Sequence, residues 1–151
     1  SKAFAMTGWR VGYACGSEEI ISAMTKIHQY TMLCAPIMGQ LGAIEALRGS
    51  SGSVLEMKRE YKRRREFIVS KLNEIGLSCR MPEGTFYVFA SIKNTGMSSA
   101  EFAKELLYKE KVAVVPGTAF GEQGAGYIRI AYASSMDNLK EAMARMEHFL
   151  K

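Results

Sequence analysis

Cysteine is scarce and badly spaced for chemistry. Cys15, Cys34 and Cys79 are odd in number and far apart, with no Cys-x-x-Cys or Cys-x-x-His pair. Such spacing supports neither a zinc site nor a disulfide framework. No metal centre is expected, and three reduced thiols suit a cytosolic protein. Also missing is any apolar run of the ~18 residues that a membrane-spanning helix requires, so no membrane segment is expected. No internal repeat or low-complexity tract is present. Gly117, Gly121, Gly124 and Gly126 come without the Lys-Ser/Thr of a P-loop and without Gly-x-Gly-x-x-Gly spacing. That argues against a phosphate cradle at this loop.

Charge is little help in naming a partner. The net charge is +5, and much of it comes from the run Lys58-Arg59-Glu60-Tyr61-Lys62-Arg63-Arg64-Arg65. A nucleic-acid surface would be expected to interleave such charges with aromatic platforms. Here the flanking pattern is helical, and Glu56, Glu60 and Glu66 are interspersed as partners. The run reads as the solvated face of a long helix, with no nucleic-acid partner.

What is present is the composition of a globular protein, 48% hydrophobic and 23% charged over 151 residues. That length is enough for one ordinary core with an appendage. The ten methionines read as fillers of core gaps.

Hydrophobic periodicity orders the elements. Arg10 to Cys15 reads as a buried strand ended by Gly16. Ser17 then caps a helix with Glu18 and Glu19 in its first turn, where the dipole favours acids. Ile20, Met24, Ile27 and Thr31 fall on one face, and His28 has no neighbour suggesting a role as base. Pro36 breaks the chain and opens a second helix through Gln40, Ile44 and Leu47 that stops near Gly49. Ser50-Ser51-Gly52-Ser53 is the one linker-like stretch and reads as a turn. Ser53 to Ile75 is the longest helix, with an apolar stripe interrupted at Arg64 or Arg65 and a stop at Gly76.

Beyond Gly76 the period changes. Leu77 to Arg80 is a short strand, and Met81-Pro82-Glu83-Gly84 a turn. Thr85 to Ile92 is a central strand. Ser98 and Glu101 form a capping box for a helix through Phe102, Leu106 and Leu107. Val112 to Val115 is a short buried strand ended by Pro116-Gly117. Tyr127 to Ala133 is a strand, and Ser134 or Ser135 caps a last helix with Leu139, Met143, Met146 and Leu150 inward. A small sheet with helices on one face follows from this order.

Two places carry chemistry. Ser1-Lys2-Ala3-Phe4-Ala5-Met6-Thr7-Gly8-Trp9-Arg10-Val11-Gly12-Tyr13 puts a lysine and an arginine on one short, glycine-punctuated segment. A lysine that attacks a carbonyl must shed its proton. A fixed cation nearby favours the neutral amine and can hold a phosphate as well. Read alone, a lysine and an arginine at this spacing fit an ordinary polar turn before a strand better than a catalytic pair. The second place is Arg129, in the otherwise apolar strand Tyr127-Ile128-Arg129-Ile130-Ala131-Tyr132. A charge among apolar neighbours needs an anionic partner, and a guanidinium fork matches a carboxylate. An arginine on the solvent face of an edge strand is the plainer alternative.

The full thirteen residues resemble the lysine signature of the class I and II, fold-type I aminotransferases that use pyridoxal 5'-phosphate (PLP). Val112-Ala113-Val114-Val115-Pro116-Gly117-x-x-Phe120-Gly121 with Tyr127 to Ala133 resembles the family's C-terminal block. Pro82-x-Gly84-Thr85-Phe86-Tyr87 resembles a third block, near the entrance to the site. By that resemblance Lys2 carries PLP as an internal aldimine and is the general base, and Arg10 binds the cofactor phosphate. Ser1 contributes a hydroxyl to the phosphate site, and Arg129 binds the substrate carboxylate. The glycines from 117 to 126 form a mobile loop flanking the substrate site.

The fold implied is α/β, the C-terminal part of a fold-type I enzyme. Residues 1–50 would be the end of the large PLP-binding domain, a strand plus two helices. Residues 51–151 would be a small α+β domain, mostly antiparallel, that includes the long bridging helix. The resemblance implies a piece of a larger cytoplasmic homodimer acting on an amino acid and a 2-oxo acid, with the isolated chain inactive. Carbon–sulfur lyases and cyclopropane-forming synthases share the lysine and the arginine, and a non-catalytic sensor or interaction domain uses the same scaffold.

Overall fold

The computed structural model describes residues 1–49 and 52–151. The expected domain boundary and the first half of the Ser50–Ser53 turn fall on Ser50 and Ser51, outside the described residues. Gly52 and Ser53 already belong to a helix. The chain divides into two compact units, Ser1–Met57 and Lys58–Lys151.

The first unit contains helices α1 (Glu18–Thr31) and α2 (Ile37–Arg48) and the start of α3 (Gly52–Glu74). Ser17 stands at the N-cap of α1 in extended conformation with Glu18 and Glu19 after it, but its hydroxyl makes no capping bond. Pro36 and Gly49 flank α2 as expected. The strand expected from Arg10 to Cys15 does not form; this stretch is irregular and largely exposed. A strand is stable only when a neighbouring strand takes its N–H and C=O groups, and among the described residues no strand pairs with it; Val11 bonds only to Ser1. Likewise Ile20, Met24 and Ile27 line one face of α1, and all three are exposed.

The second unit is built on a three-stranded antiparallel sheet in the order β1 (Tyr87–Ser91), β3 (Tyr127–Ala131), β2 (Val115–Pro116). The central strand is therefore β3, not β1 as expected; β1 gains only an isolated bridge from Cys79 to Ala90 on its outer side. The expected strand at Leu77 to Arg80 shrinks to that bridge, and of the strand expected from Val112 to Val115 only Val115 pairs, together with Pro116, its expected stop. The register pairs Val88 with Ile130 and Phe89 with Arg129. Side chains alternate across a strand, so Val88, Ala90, Ile128 and Ile130 point into the core while Tyr87, Phe89, Tyr127 and Arg129 share the other face. Helices α3, α4 (Ser99–Glu110) and α5 (Met136–Phe149) cover the inner face through Ile68, Leu72, Phe102, Leu106, Leu139 and Met143.

Local signals explain the ends of these helices. Gly76 takes φ +87°, which glycine tolerates, and lets Leu77 N–H reach back to Leu72 O at 2.8 Å. Ser98 and Glu101 form the complete capping box at α4, and Ser135 accepts from Asn138 N–H at 3.2 Å at the start of α5. Along α3, Glu60 takes Arg63 at 3.0 Å and Arg64 at 2.8 Å. Those two bonds, Arg63 first, hold the Glu60 carboxyl below its ordinary range. Methionine is divided: Met143 and Met146 fill the core, whereas Met24, Met32, Met38 and Met81 are exposed. Among the described residues no helix is long and apolar enough to cross a membrane.

Candidate active site

The first unit gathers Ser1, Lys2 and Arg10 on one closed loop. Met6 N–H donates to Ser1 O at 2.8 Å and Ala5 N–H to Lys2 O at 3.3 Å. This coils the first residues into a turn, with Ala5 at φ +53°. A 3-10 turn follows at Thr7–Trp9, and Arg10 closes it in the left-handed conformation, φ 50°. The Ser1 hydroxyl then ties the two ends together, donating to Val11 O at 2.6 Å and accepting from Val11 N–H at 2.9 Å. Its single proton is thus spent on the backbone. Lys2 and Arg10 lie just inside this closure and are exposed. Arg10 Nη1 donates to Thr7 O at 3.0 Å, and its other donors find no partner among the described residues. Gly39 lets α2 approach the loop, since a Cβ there would lie 2.8 Å from Trp9 O.

The second unit holds Arg129, half-buried on the outer face of β3. Its guanidinium carbon sits 4.2 Å from the centre of the Tyr87 ring and 4.5 Å from that of Phe120. No carboxylate lies within ion-pair distance of it among the described residues. It opens onto a groove of about 430 Å³ lined by Arg80, the 81–85 turn, Tyr87 and Phe89. Two anchors, the half-buried Arg65 and the buried Tyr132, fix that turn. Arg65 Nη1 donates to Pro82 O at 2.8 Å, and Tyr132 Oη donates to Thr85 O at 2.6 Å. Sequence reasoning passes over both anchors, although Arg65 announces itself as a break in the apolar stripe of α3.

The glycine loop is built as two 3-10 turns, Gly117–Phe120 and Glu122–Gly124. Its ends meet backbone to backbone, so that a Cβ at Gly117 would strike Gly124 O and one at Gly124 would strike Gly117 O. The buried Ser99 hydroxyl accepts from Gly126 N–H at 3.0 Å and Tyr127 N–H at 3.2 Å. Among the described residues no group of three or more His, Cys, Asp or Glu side chains could hold a metal ion.

The family model for aminotransferase class I and II matches residues 1–146. The chain belongs to that family. It is 57% identical over 150 residues to the YugH protein of Bacillus subtilis, covering 99% of this chain and 39% of that one. It is 46% identical over 153 residues to aromatic-amino-acid aminotransferase 2 of Thermococcus litoralis, covering 100% and 39%. The crystal structure of an aromatic aminotransferase from Pyrococcus horikoshii superposes with a TM-score of 0.93 at 44% identity, over 99% of this chain and 40% of that one. The chain thus spans about 39% of the length of the curated relatives it matches, and it corresponds to their C-terminal part. The α+β fold matches the C-terminal domain of aminotransferases.

Proposed function

We propose that the chain supplies part of the active site of a PLP-dependent aminotransferase, moving an amino group between an amino acid and a 2-oxo acid. The observation that carries this reading is the loop closed by Ser1 and Val11, which keeps Lys2 and Arg10 on adjoining turns. Family membership supports it.

The donor set suits the cofactor. Lys2 offers a primary amine for an aldehyde, and Arg10 offers guanidinium donors for a phosphate. PLP, when bound, supplies an electron sink for charge developing on the substrate Cα. Lys2 Nζ would hold the group through its aldehyde carbon, and as general base it would take up the proton from the substrate Cα and give it back. Arg10 would hold the phosphate. Ser1 serves the phosphate site by holding the loop closed, its hydroxyl being engaged with Val11. Arg129 receives the substrate carboxylate and sets the orientation of the Cα–H bond.

Matched relatives are named for aspartate, for aromatic amino acids and for N-acetyl-LL-diaminopimelate, and amino-group transfer is what those names share. Within this reading residues 1–50 are the end of the large cofactor domain and 51–151 the small domain. The enzyme is a cytoplasmic homodimer, for which the family resemblance is the support.

Borohydride reduction of the full-length enzyme with PLP, followed by peptide mapping, tests the assignment. A phosphopyridoxyl group confined to Lys2 is expected, and label elsewhere in a protein whose Lys2 stays unmodified sinks the reading. The isolated 151-residue chain is expected to bind PLP weakly or not at all. A stable absorbance band near stoichiometric PLP, abolished by Lys2→Ala, would contradict that second expectation.

A further inference from the structure

We propose that Tyr87 and Phe120 are positioning residues for Arg129, clamping its guanidinium so that an anion can approach only along its N–H edge. The inference rests on the reading of Arg129 as the carboxylate group of the site. Tyr87 faces Ala131 in the register, which makes it the diagonal neighbour of Arg129 on β1. Phe120 comes from the turn that follows β2, the strand on the other side of β3. The guanidinium carbon therefore lies against both rings, at 4.2 Å and 4.5 Å from their centres. Both contacts are in the range of cation–π attraction. Neither ring consumes a donor, because a π face accepts charge without taking an N–H.

The chemistry that results is selective. A free arginine side chain loses rotamer freedom when it engages a ligand, and prior ordering removes part of that cost. With two rings against it, the fork is held while its donors stay available in one plane. A carboxylate is planar and meets that edge with two parallel bonds. The clamp is itself braced. Phe89 packs edge-on against Phe120 at 6.2 Å and stacks on Tyr127 at 5.5 Å. The backbone contact of Gly117 with Gly124 fixes the turn that carries Phe120.

Nuclear magnetic resonance of the full-length enzyme labelled with 15N at arginine tests the clamp, with acetate as probe at ionic strength held constant by sodium chloride. The Arg129 Nε–Hε signal is expected upfield of exposed arginines and to move saturably with acetate. Tyr87→Leu and Phe120→Leu should each lose part of the upfield shift and weaken acetate binding about fivefold. Tyr87→Phe and Phe120→Tyr should restore both. Leucine variants that keep wild-type affinity and shift overturn the clamp and leave the carboxylate reading standing. An upfield Arg129 signal that ignores acetate in the wild type overturns the carboxylate reading, and the clamp's purpose with it. Should Tyr87→Leu unfold the chain, Phe120→Leu decides, since the Phe120 ring is 53% exposed.

Discussion

Tyr132 gives its phenolic hydrogen to the carbonyl of Thr85 at 2.6 Å, joining positions 47 residues apart. Thr85 has φ +68°, a conformation that costs a β-branched residue energy. The same tyrosine donates its backbone N–H to Phe86 O at 2.9 Å. A strained residue at the rim of the Arg129 groove is thus held from the core side by a ring that is 1% exposed.

Tyr132→Phe keeps the ring and leaves the Thr85 carbonyl without its partner. A loss of about 1–3 kcal/mol is expected in urea denaturation, with the far-ultraviolet spectrum unchanged. Burial pushes the Tyr132 hydroxyl above its ordinary range, against a smaller opposing pull from Arg65. The stability gained from the neutral hydroxyl is fully present below the unfolded-state pKa of about 10 and falls as pH rises beyond it. The phenylalanine variant should lose that part of the alkaline slope.

The capping box at α4 has the opposite sign. Bonds from the Ser98 hydroxyl and then the Ser98 N–H hold the Glu101 carboxyl below its ordinary range. Its contribution is present above the unfolded-state pKa of about 4.3 and is lost as pH falls through the lower folded value. Thermal unfolding as a function of pH should show this, and Glu101→Gln should flatten it. Ser98→Ala is expected to cost about 1 kcal/mol at neutral pH.

Gly124→Ala should be among the most damaging small changes in the second unit. The added methyl would meet the Gly117 carbonyl, which is backbone and cannot swing aside. A loss of about 1–3 kcal/mol or more is expected from such overpacking. Denaturant titration measures it, and Gly121→Ala, with open space around its Cβ though at φ +114°, serves as the comparison for strain without collision.

Thiol accessibility separates the cysteines. Cys15 and Cys34 are exposed and Cys79 is buried, where desolvation raises its thiol above the ordinary range. In the 151-residue chain a disulfide reagent such as DTNB should modify two thiols promptly and the third only after denaturation. Prompt reaction of all three would show that the bridge from Cys79 to Ala90 opens readily.

How far the sequence could be read depended on where the determining partner lies. Ser98 with Glu101 and Gly76 after α3 are local signals, and each stands where expected. The strand expected at Arg10–Cys15 failed because its apolar residues describe what a strand would bury, whereas pairing depends on a neighbour that sequence does not show. The exchange of β1 for β3 at the centre of the sheet has the same origin, since strand order is a long-range property. Lys2, Arg10 and Arg129 stood out by residue type and motif. Tyr87 and Phe120 stood within quoted motifs but suggested no role, because their contact with the guanidinium depends on strand pairing and on the turn after β2.

The alternation along β1 and β3 divides the sheet's labour by parity. Even-numbered positions, Val88, Ala90, Ile128 and Ile130, are committed to the interior, and odd-numbered ones, Tyr87, Phe89, Tyr127 and Arg129, to the opposite face. Two strands can therefore drift in what they recognise while their stability is guarded by different residues. A combinatorial library confined to the odd positions would explore new ligands on an unchanged foundation, which is also the cheapest route by which relatives with this sheet could diverge in substrate.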